Sequence, residues 1–219
     1  VLLLAVGFTV LRLPRGSHSV PSIKERLALL RRDPTTLLLL LAMTAAVGFE
    51  IGTIGILTTY LMEFRDFTQV TSKIALILFN GGIAVGRVVF GLTTPRHHLY
   101  RNILLLLGFT ALLSAVMYGV DLGQLTYIPI FVSGFAVSAL LPMITTYGGL
   151  AYPDVAGTAI GIIKIGVPVG GILVPFLISM VAGGFGTRFA LWVFPAFTAV
   201  VFFVLLFGRK LVRAAADEA

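Results

Sequence analysis

The residue with the clearest chemical potential in this chain is Glu50, a carboxylate inside the apolar and small-residue run AAVGFEIGTIGILTTYL at 45–61. An ionised carboxylate at the centre of a bilayer costs roughly 3 kcal/mol on insertion scales, so such a group faces the protein interior or a water-filled cavity. We expect Glu50 to act as a proton site or as a hydrogen-bond acceptor for a polar substrate. The alternative is a protonated carboxyl group bonded to the backbone of a neighbouring helix.

A lysine, Lys164, shares one helix face with residues that carry almost no side-chain bulk. Helical spacing places five glycines and prolines in the same narrow strip. They are Gly157, Gly161, Pro168, Gly171 and Pro175. Close helix packing or a cavity wall would each produce such a strip. We expect Lys164 to extend toward the membrane interface, to pair with Glu50 if the two helices adjoin, or to contact an anionic or hydroxylated substrate.

Asn80 and Arg87 are seven residues apart and therefore lie on one helix face, with Gly91 one turn further on. Arg87 is near the predicted end of its helix, where it would bond helix carbonyls or lipid phosphate. Asn80 lies deeper and either joins two helices or bonds a substrate hydroxyl. Further candidates for contact with a substrate are Tyr60, Thr145, Thr146 and Tyr147. Tyrosines near span ends can alternatively be interfacial anchors.

Enzymatic chemistry inside the membrane is not expected from this sequence. A serine protease or metalloprotease of the bilayer needs a histidine beside its nucleophile or metal, and His18, His97 and His98 all fall in predicted loops. The sequence contains no cysteine, no phosphate-binding loop and no dinucleotide-binding fingerprint. We therefore predict no catalytic residue, no metal site and no cofactor.

The composition places these residues in an integral membrane protein. The chain is 58% hydrophobic and 11% charged, whereas a soluble domain is usually about 25% charged. Six apolar stretches are long enough to cross a bilayer as helices. They are approximately 36–63, 72–94, 103–120, 124–147, 156–183 and 188–208. Because none shows the alternating pattern of a membrane barrel, we predict an all-α membrane protein.

The remaining segments divide the chain into four parts. Residues 1–13 are too short to span a bilayer and are interpreted as the tail of a truncated preceding span. Residues 14–34 form a basic cytoplasmic linker, in which Ser22 and Glu25 fit a capping box that begins an amphipathic helix lying along the membrane surface. Residues 35–210 hold the six spans, and 211–219 form a cytoplasmic tail.

The basic residues predict the orientation of the chain. If six spans alternate, ten Lys and Arg residues lie on the side of both chain ends and three on the opposite side. The excess of positive charge marks the cytoplasmic side, so both ends should be cytoplasmic, in a plasma or inner membrane. The formal charge of +7 reflects this orientation, and no nucleic-acid partner is expected.

The second and fifth spans show a weak internal sequence repeat. The second holds NGGIAVGRVVFG and the fifth holds GTAIGIIKIGVPVGGILVP, and each combines glycines at four-residue spacing with one basic residue. The second and fifth spans are equivalent if three helices repeat as three more. Inverted three-plus-three repeats of this kind build transporter halves, with glycine- or proline-interrupted segments near the site.

Several segments, in this order and spacing, resemble the C-terminal half of a major facilitator superfamily transporter, most closely a fucose-permease-like sugar:proton symporter. They are GFEIGTIGILTTYL, GIAVGRVVFGLTTPRHHLYRN, GFAVSALLPMITT, YPDVAGTAIGI and VGGILVPFLISMVAGGFGTRFALWVFP. The likeness covers roughly 36–208. It implies a six-helix half-bundle, preceded by the truncated span and the amphipathic linker helix.

The resemblance also implies a function and a set of gating or packing positions. The function is proton-coupled transport of a small polar solute, possibly a sugar, by alternating access between this half and a missing N-terminal six-helix half. The implied partners are the solute, H+ and the lipid bilayer. The gating or packing residues that it implies are Gly86, Arg87, Gly91, Pro142, Gly157, Gly170, Gly171 and Pro175. Gly161, from the strip around Lys164, is a further packing candidate.

Two other interpretations remain open at the level of sequence. Several copies of the chain could assemble into a passive channel, because glycine strips permit close association. A transporter-like sensor that binds a solute without moving it is the third possibility.

Overall fold

The computed structural model describes residues 22–94 and 98–212. The predicted truncated span at 1–13, the first part of the linker and the tail beyond 212 lie outside the described residues. Within the described ranges the chain is helical and contains no strand. The prediction of an all-α protein is therefore confirmed for this part of the chain.

Ten α-helices make up the described chain. They are α1 (Ile23–Arg31), α2 (Pro34–Phe64), α3 (Gln69–Thr93), α4 (Leu99–Gly119), α5 (Tyr127–Val137), α6 (Leu140–Ala151), α7 (Ala156–Ile163), α8 (Gly166–Phe185), α9 (Thr187–Ala190) and α10 (Val193–Gly208). Short 3₁₀ turns occupy Gly123–Thr126, Pro153–Val155 and Arg209–Leu211.

Six helical segments are long and apolar enough to cross a membrane, which indicates an integral membrane protein. In chain order, span 1 to span 6 are Pro34–Phe64, Gln69–Thr93, Leu99–Gly119, Gly123–Ala151, Pro153–Phe185 and Thr187–Leu211. Spans 1 to 3 coincide with α2 to α4, whereas each of spans 4 to 6 contains two α-helices.

Two helix starts follow the signals that the sequence carries. The Ser22 hydroxyl accepts a hydrogen bond from the Glu25 N–H, and the Glu25 carboxylate accepts one from the Ser22 N–H, so the capping box that begins α1 is confirmed. At the start of α2 the Asp33 carboxylate accepts from the Thr35 N–H at 2.8 Å, with Pro34 at the first helical position.

Three prolines divide the helices of spans 4, 5 and 6. Pro142, Pro168 and Pro195 each lack the N–H that would bond the carbonyl four residues earlier, and each ring crowds that carbonyl. In each case the residue four positions before the proline is the C-terminal cap of the preceding α-helix. These caps are Ser138, Lys164 and Leu191. Spans 1 to 3 carry no proline beyond the first position of α2 and run unbroken. The proline spacing accounts for all three breaks.

The helices pack in a defined set of pairs. The two most extensive interfaces join α3 of span 2 to α5 of span 4, and α2 of span 1 to α8 of span 5. Span 1 also contacts spans 2, 4 and 6, and span 4 contacts spans 3 and 5. Spans 3 and 6 contact one another. Spans 1 and 4 therefore lie at the centre of the bundle.

Glycines allow the backbones to approach closely at both large interfaces. A side-chain carbon on Gly170 of α8 would collide with the backbone carbonyl of Thr44 on α2. A side-chain carbon on Gly82 of α3 would collide with the carbonyl of Phe131 on α5 in the same way. In lipid the hydrophobic effect does not drive helices together, so close van der Waals packing at small residues such as these contributes much of the association energy.

A buried arginine, Arg65, connects spans 1 and 3 at the end of the bundle where span 1 leads into span 2. Arg65, at the C-terminal end of α2, donates hydrogen bonds to the Tyr60 hydroxyl at 2.6 Å and to the Val120 carbonyl at 2.8 Å. It also pairs with Asp121 at 3.1 Å, and its side chain is 6% exposed. The guanidinium thus satisfies carbonyls at the end of α4, where a positive charge is favourable.

The exposed carboxylate of this cluster stays ionised at neutral pH. The Gly123 N–H donates to Asp121 at 3.1 Å. This bond and the nearby Arg65 charge hold the pKa of Asp121 below its ordinary value.

A line of aromatic contacts connects this cluster to the interior. Its members, in order of contact, are Tyr60, Tyr118, Phe194, Phe49 and Phe79. Tyr118 stacks on Phe194 with a ring-centroid distance of 5.1 Å. Because these rings belong to spans 1, 2, 3 and 6, they join four spans through one continuous core.

We predict that Gly170→Ala lowers the melting temperature of the purified protein, whereas Gly183→Ala does not. Both glycines lie inside α8, but the added methyl group meets the Thr44 carbonyl at position 170 and finds nothing within 4 Å at position 183. Overpacking costs about 1–3 kcal/mol, while alanine in an open helix position gains roughly 0.5–1 kcal/mol. Equal thermal unfolding curves in detergent would contradict the close α2–α8 contact.

Candidate functional site

The candidate site is built around an ion pair between Glu50 and Arg87. Glu50 lies near the middle of the 31-residue α2, and Arg87 lies on the adjoining α3, six residues or about 9 Å before its end. The Arg87 guanidinium donates to a Glu50 carboxylate oxygen at 3.4 Å. The Glu50 side chain is 19% exposed and that of Arg87 is 55% exposed. The pair is therefore half-enclosed and open on the arginine side.

This geometry departs from what the sequence led us to expect of Arg87. The expected partners were helix carbonyls or lipid phosphate, but its hydrogen bond in the structure goes to Glu50. Since α2 and α3 run antiparallel through a short connection, residues before and after that connection face each other at equal depth. The carboxylate thus has a charged partner on the neighbouring helix.

Lys164, the other suggested partner of Glu50, does not pair with it. The α2–α8 interface places Gly166 against Leu40 and Gly170 against Thr44. In this register Lys164 is level with Leu38, about twelve residues before Glu50, which is roughly 18 Å along the helix axis. The lysine side chain is exposed at the break between α7 and α8. The suggestion of a Lys164–Glu50 pair is therefore wrong for this structure.

A cavity of about 710 Å³ lies next to Arg87. It is formed by the C-terminal part of α3, the start of α4, and α6 together with the break before it. The lining includes Arg87, Gly91, Thr94, Pro142 and Thr146. The charge and the two threonine hydroxyls face the same space as apolar groups such as Phe90 and Met143. A cavity with few polar groups in a mostly apolar wall has the character of a small-molecule site.

The remaining substrate candidates are distributed over different environments. Asn80 is exposed and donates to the Leu76 carbonyl of its own helix at 2.9 Å. Thr145 is half-buried and donates to the carbonyls of Leu141 and Pro142. Their side chains lie outside the cavity lining that includes Arg87.

The two tyrosines among the candidates are buried. Tyr60 is 1% exposed and donates to the Met117 carbonyl at 3.1 Å, within the Arg65 cluster. Tyr147 is also 1% exposed and packs against Tyr100 with a ring-centroid distance of 5.6 Å. Both positions hold helices together in this conformation, so neither tyrosine faces the cavity.

The gating or packing candidates fall into two groups. Gly86 and Gly170 lie in close helix contacts, and a side-chain carbon on Gly171 would lie 3.1 Å from the Ile51 side chain. By contrast, a side chain on Gly91, Gly157 or Gly161 would meet nothing within 4 Å. Pro142 and Pro175 are exposed, and Pro142 marks the break in span 4, whereas α8 continues through Pro175.

The strip that contains Lys164 is directed away from the bundle. Lys164, Gly157, Gly161, Pro168 and Pro175 are all exposed, and only Gly171 is half-buried. Close packing within this chain is therefore not the reason for the strip. Its glycines and prolines instead leave an open surface along span 5.

Sequence reasoning did not resolve two roles that the structure shows, one at the site and one at the opposite end of the bundle. Thr146 was one of several hydroxyl candidates, but its place on the cavity wall follows from the break at Ser138. Arg65 was not among the candidate residues, although its side chain makes three hydrogen bonds and an ion pair. A signal was present in the sequence, because Arg65 follows Tyr60 by five residues at the predicted end of a helix, where cations are favoured.

Comparison with known proteins supplies no family for this chain. It matches no protein-family model and no curated protein. The function proposed below therefore rests on the residues and their geometry, together with the resemblance in the sequence.

We expect Glu50→Gln and Arg87→Gln to be non-additive in thermal stability. Each single substitution leaves one ion without its partner, whereas the double variant removes both charges. Because Arg87 is more than half exposed, solvent screening keeps the expected coupling near ~0.5–1 kcal/mol. The test is a double-mutant cycle of unfolding midpoints in detergent. Strict additivity would show that the contact contributes no pairwise energy.

Proposed function

We propose that this chain is a six-helix half of a major-facilitator-type secondary transporter that moves a small polar solute together with protons. The observation that carries the proposal is the Glu50–Arg87 ion pair between spans 1 and 2, whose arginine lines an open cavity. In this proposal the pair binds the solute or its coupled proton, and the cavity is one end of the pathway.

The position of the pair argues for a water-accessible function. Ionisable groups within membrane spans are costly, and they typically mark pathways for substrates, ions or protons. A purely structural ion pair would be better enclosed, with more hydrogen bonds to satisfy both ions. The Glu50–Arg87 contact is instead a single hydrogen bond at 3.4 Å, with more than half of the arginine side chain exposed. This arrangement leaves donors for a solute on the cavity side.

The pattern of helix contacts supports a three-plus-three repeat. Exchanging spans 1, 2 and 3 with spans 4, 5 and 6 turns the span 1–span 5 interface into the span 4–span 2 interface. The same exchange relates the span 1–span 6 contact to the span 4–span 3 contact, and the span 1–span 2 contact to the span 4–span 5 contact. Internal repeats of this kind are common in secondary transporters, with the site near the repeat interface.

The glycines at the two large interfaces follow the same relation. Gly82 and Gly86 contact span 4, and Gly166 and Gly170 contact span 1, with four-residue spacing in both cases. If these pairs are equivalent, Asn80 of span 2 corresponds to Lys164 of span 5, since each precedes its first glycine by two residues. Both are polar side chains exposed on the two spans that are least buried in this chain. We propose that the missing six-helix half covers these exposed faces.

The breaks at Pro142 and Pro168 isolate a helical hairpin made of α6 and α7. These two helices pack against each other, and α6 forms one wall of the cavity. Broken helices beside a binding site are a recurring feature of secondary transporters. In the proposed mechanism the hairpin changes the width of the cavity as the pathway opens alternately to the two sides.

Uptake measurements with the full-length protein in proteoliposomes test the proposal. A panel of radiolabelled neutral monosaccharides should include at least one that accumulates when an inward proton gradient is imposed. We expect Glu50→Gln to lower this accumulation by about tenfold, which corresponds to roughly 1.4 kcal/mol of lost interaction. Lys73→Gln is a matched control, because it removes a charge near the start of α3, away from the cavity.

Other outcomes would assign the chain differently. If the uptake rate changed neither on collapse of the proton gradient nor in Glu50→Gln, proton coupling and the role of the ion pair would both be contradicted. Ion conductance without gradient-driven accumulation would favour an oligomeric passive channel. Saturable binding of a sugar without uptake would favour a sensor.

A further inference from the structure

The end of span 6 carries a groove whose chemistry combines positive charge with exposed apolar surface. The groove has a volume of about 430 Å³ and is lined by Leu206, Phe207, Arg209 and Lys210. Arg209 and Lys210 lie in the 3₁₀ turn that follows α10, and both side chains are exposed. Neither makes an ion pair with a described residue. Two unpaired cations thus sit directly beside an apolar surface.

The apolar part of this surface continues along the outside of span 6. Phe207 is 79% exposed and stacks on Phe203 one turn earlier, with a ring-centroid distance of 6.3 Å. Phe203 is 50% exposed and Val200, one further turn away, is 60% exposed. These side chains share one helix face because they are spaced by three or four residues. The groove therefore opens onto an apolar strip that runs from the cations into the membrane span.

The neighbouring helices fix this end of span 6 at the membrane boundary. Gly208 packs against Leu38, near the start of span 1. The Tyr100 hydroxyl, at the start of span 3, donates to the Leu205 carbonyl at 2.8 Å. The cations consequently lie where the first turns of spans 1 and 3 begin, level with the lipid headgroups. This is also the side that the excess of basic residues predicts to be cytoplasmic.

We propose that this groove binds the headgroup of an anionic phospholipid, with one acyl chain lying along the exposed face of Val200, Phe203 and Phe207. The phosphate accepts hydrogen bonds from Arg209 and Lys210. Arginine and lysine next to a membrane surface attract anionic lipids, and each contributes about a fivefold gain in affinity. A soluble anion would use the cations but not the apolar strip. The shape of the site therefore favours a lipid, independently of what the protein transports.

Tryptophan quenching by brominated lipids tests the lipid site directly. The single native tryptophan, Trp192, lies near the opposite end of span 6 and serves as an internal reference. A second reporter is made by Phe207→Trp in a Trp192→Phe background. Both proteins are reconstituted in phosphatidylcholine vesicles that contain a minor fraction of brominated phosphatidylglycerol.

We expect the reporter at position 207 to be quenched more strongly than the mole fraction of brominated lipid requires. Adding Arg209→Gln and Lys210→Gln should lower the apparent affinity for the anionic lipid about twenty-five-fold and return quenching to the bulk value. Lys73→Gln with Arg188→Gln, which removes the same charge from the opposite end, should leave quenching at position 207 unchanged. The Trp192 reporter should follow the bulk mole fraction throughout.

Three results would overturn the proposal. Quenching at position 207 could match the bulk fraction before any charge is removed, which would exclude enrichment. It could persist in the Arg209→Gln, Lys210→Gln variant, which would exclude the cations. Displacement of the lipid by millimolar glycerol phosphate would show an anion site in which the acyl chain has no part.

Discussion

Moving a carboxylate and a guanidinium from water into an apolar helix bundle costs several kcal/mol for each ion, unless the two stay paired and partly hydrated. Glu50 and Arg87 meet this constraint through one hydrogen bond and through the exposure of the arginine to an open cavity. The constraint has structural consequences, because a cavity must be kept open beside a tightly packed core. The fold divides these two tasks between different helices.

Spans 1 and 4 form the packed centre, and glycines at their interfaces with spans 5 and 2 bring the backbones together. Close approach at these interfaces fixes the helical register, and the register decides which polar groups meet. Pro142 and Pro168 have the opposite effect in spans 4 and 5, because each lacks the N–H that would continue the hydrogen-bonded ladder where the preceding α-helix ends. The cavity beside Arg87 lies at one of these breaks. Glycines therefore permit the close helix packing, and prolines produce the helix breaks, one of which lies beside the cavity.

The sequence predicted the helices better than it predicted their neighbours. Hydrophobic length revealed the six spans, and local capping signals revealed the starts of α1 and α2. Helical periodicity placed Asn80, Arg87 and Gly91 on one face; Arg87 and Gly91 line the cavity, whereas Asn80 does not. Helical periodicity shows which side chains share a helix face but not which neighbouring helix that face contacts. It therefore could not decide whether Arg87 or Lys164 pairs with Glu50. That choice depends on a register set by glycine contacts between helices distant in sequence. The buried role of Arg65 was missed for a similar reason, because two of its partners, Val120 and Asp121, directly follow span 3 and are distant in sequence.

In the proposed function, water reaches the space beside Arg87 while the outer face of the bundle is in contact with lipid. Since the chain contains no cysteine, single cysteines can report this without further changes. Thr146→Cys places a thiol on the cavity wall, and Val204→Cys places one on the exposed apolar face of span 6 at a similar distance from the span end. We expect a charged, membrane-impermeant thiol reagent to modify Thr146→Cys rapidly and to leave Val204→Cys unmodified in vesicles. Equal resistance of both thiols to the reagent would contradict water access to the cavity.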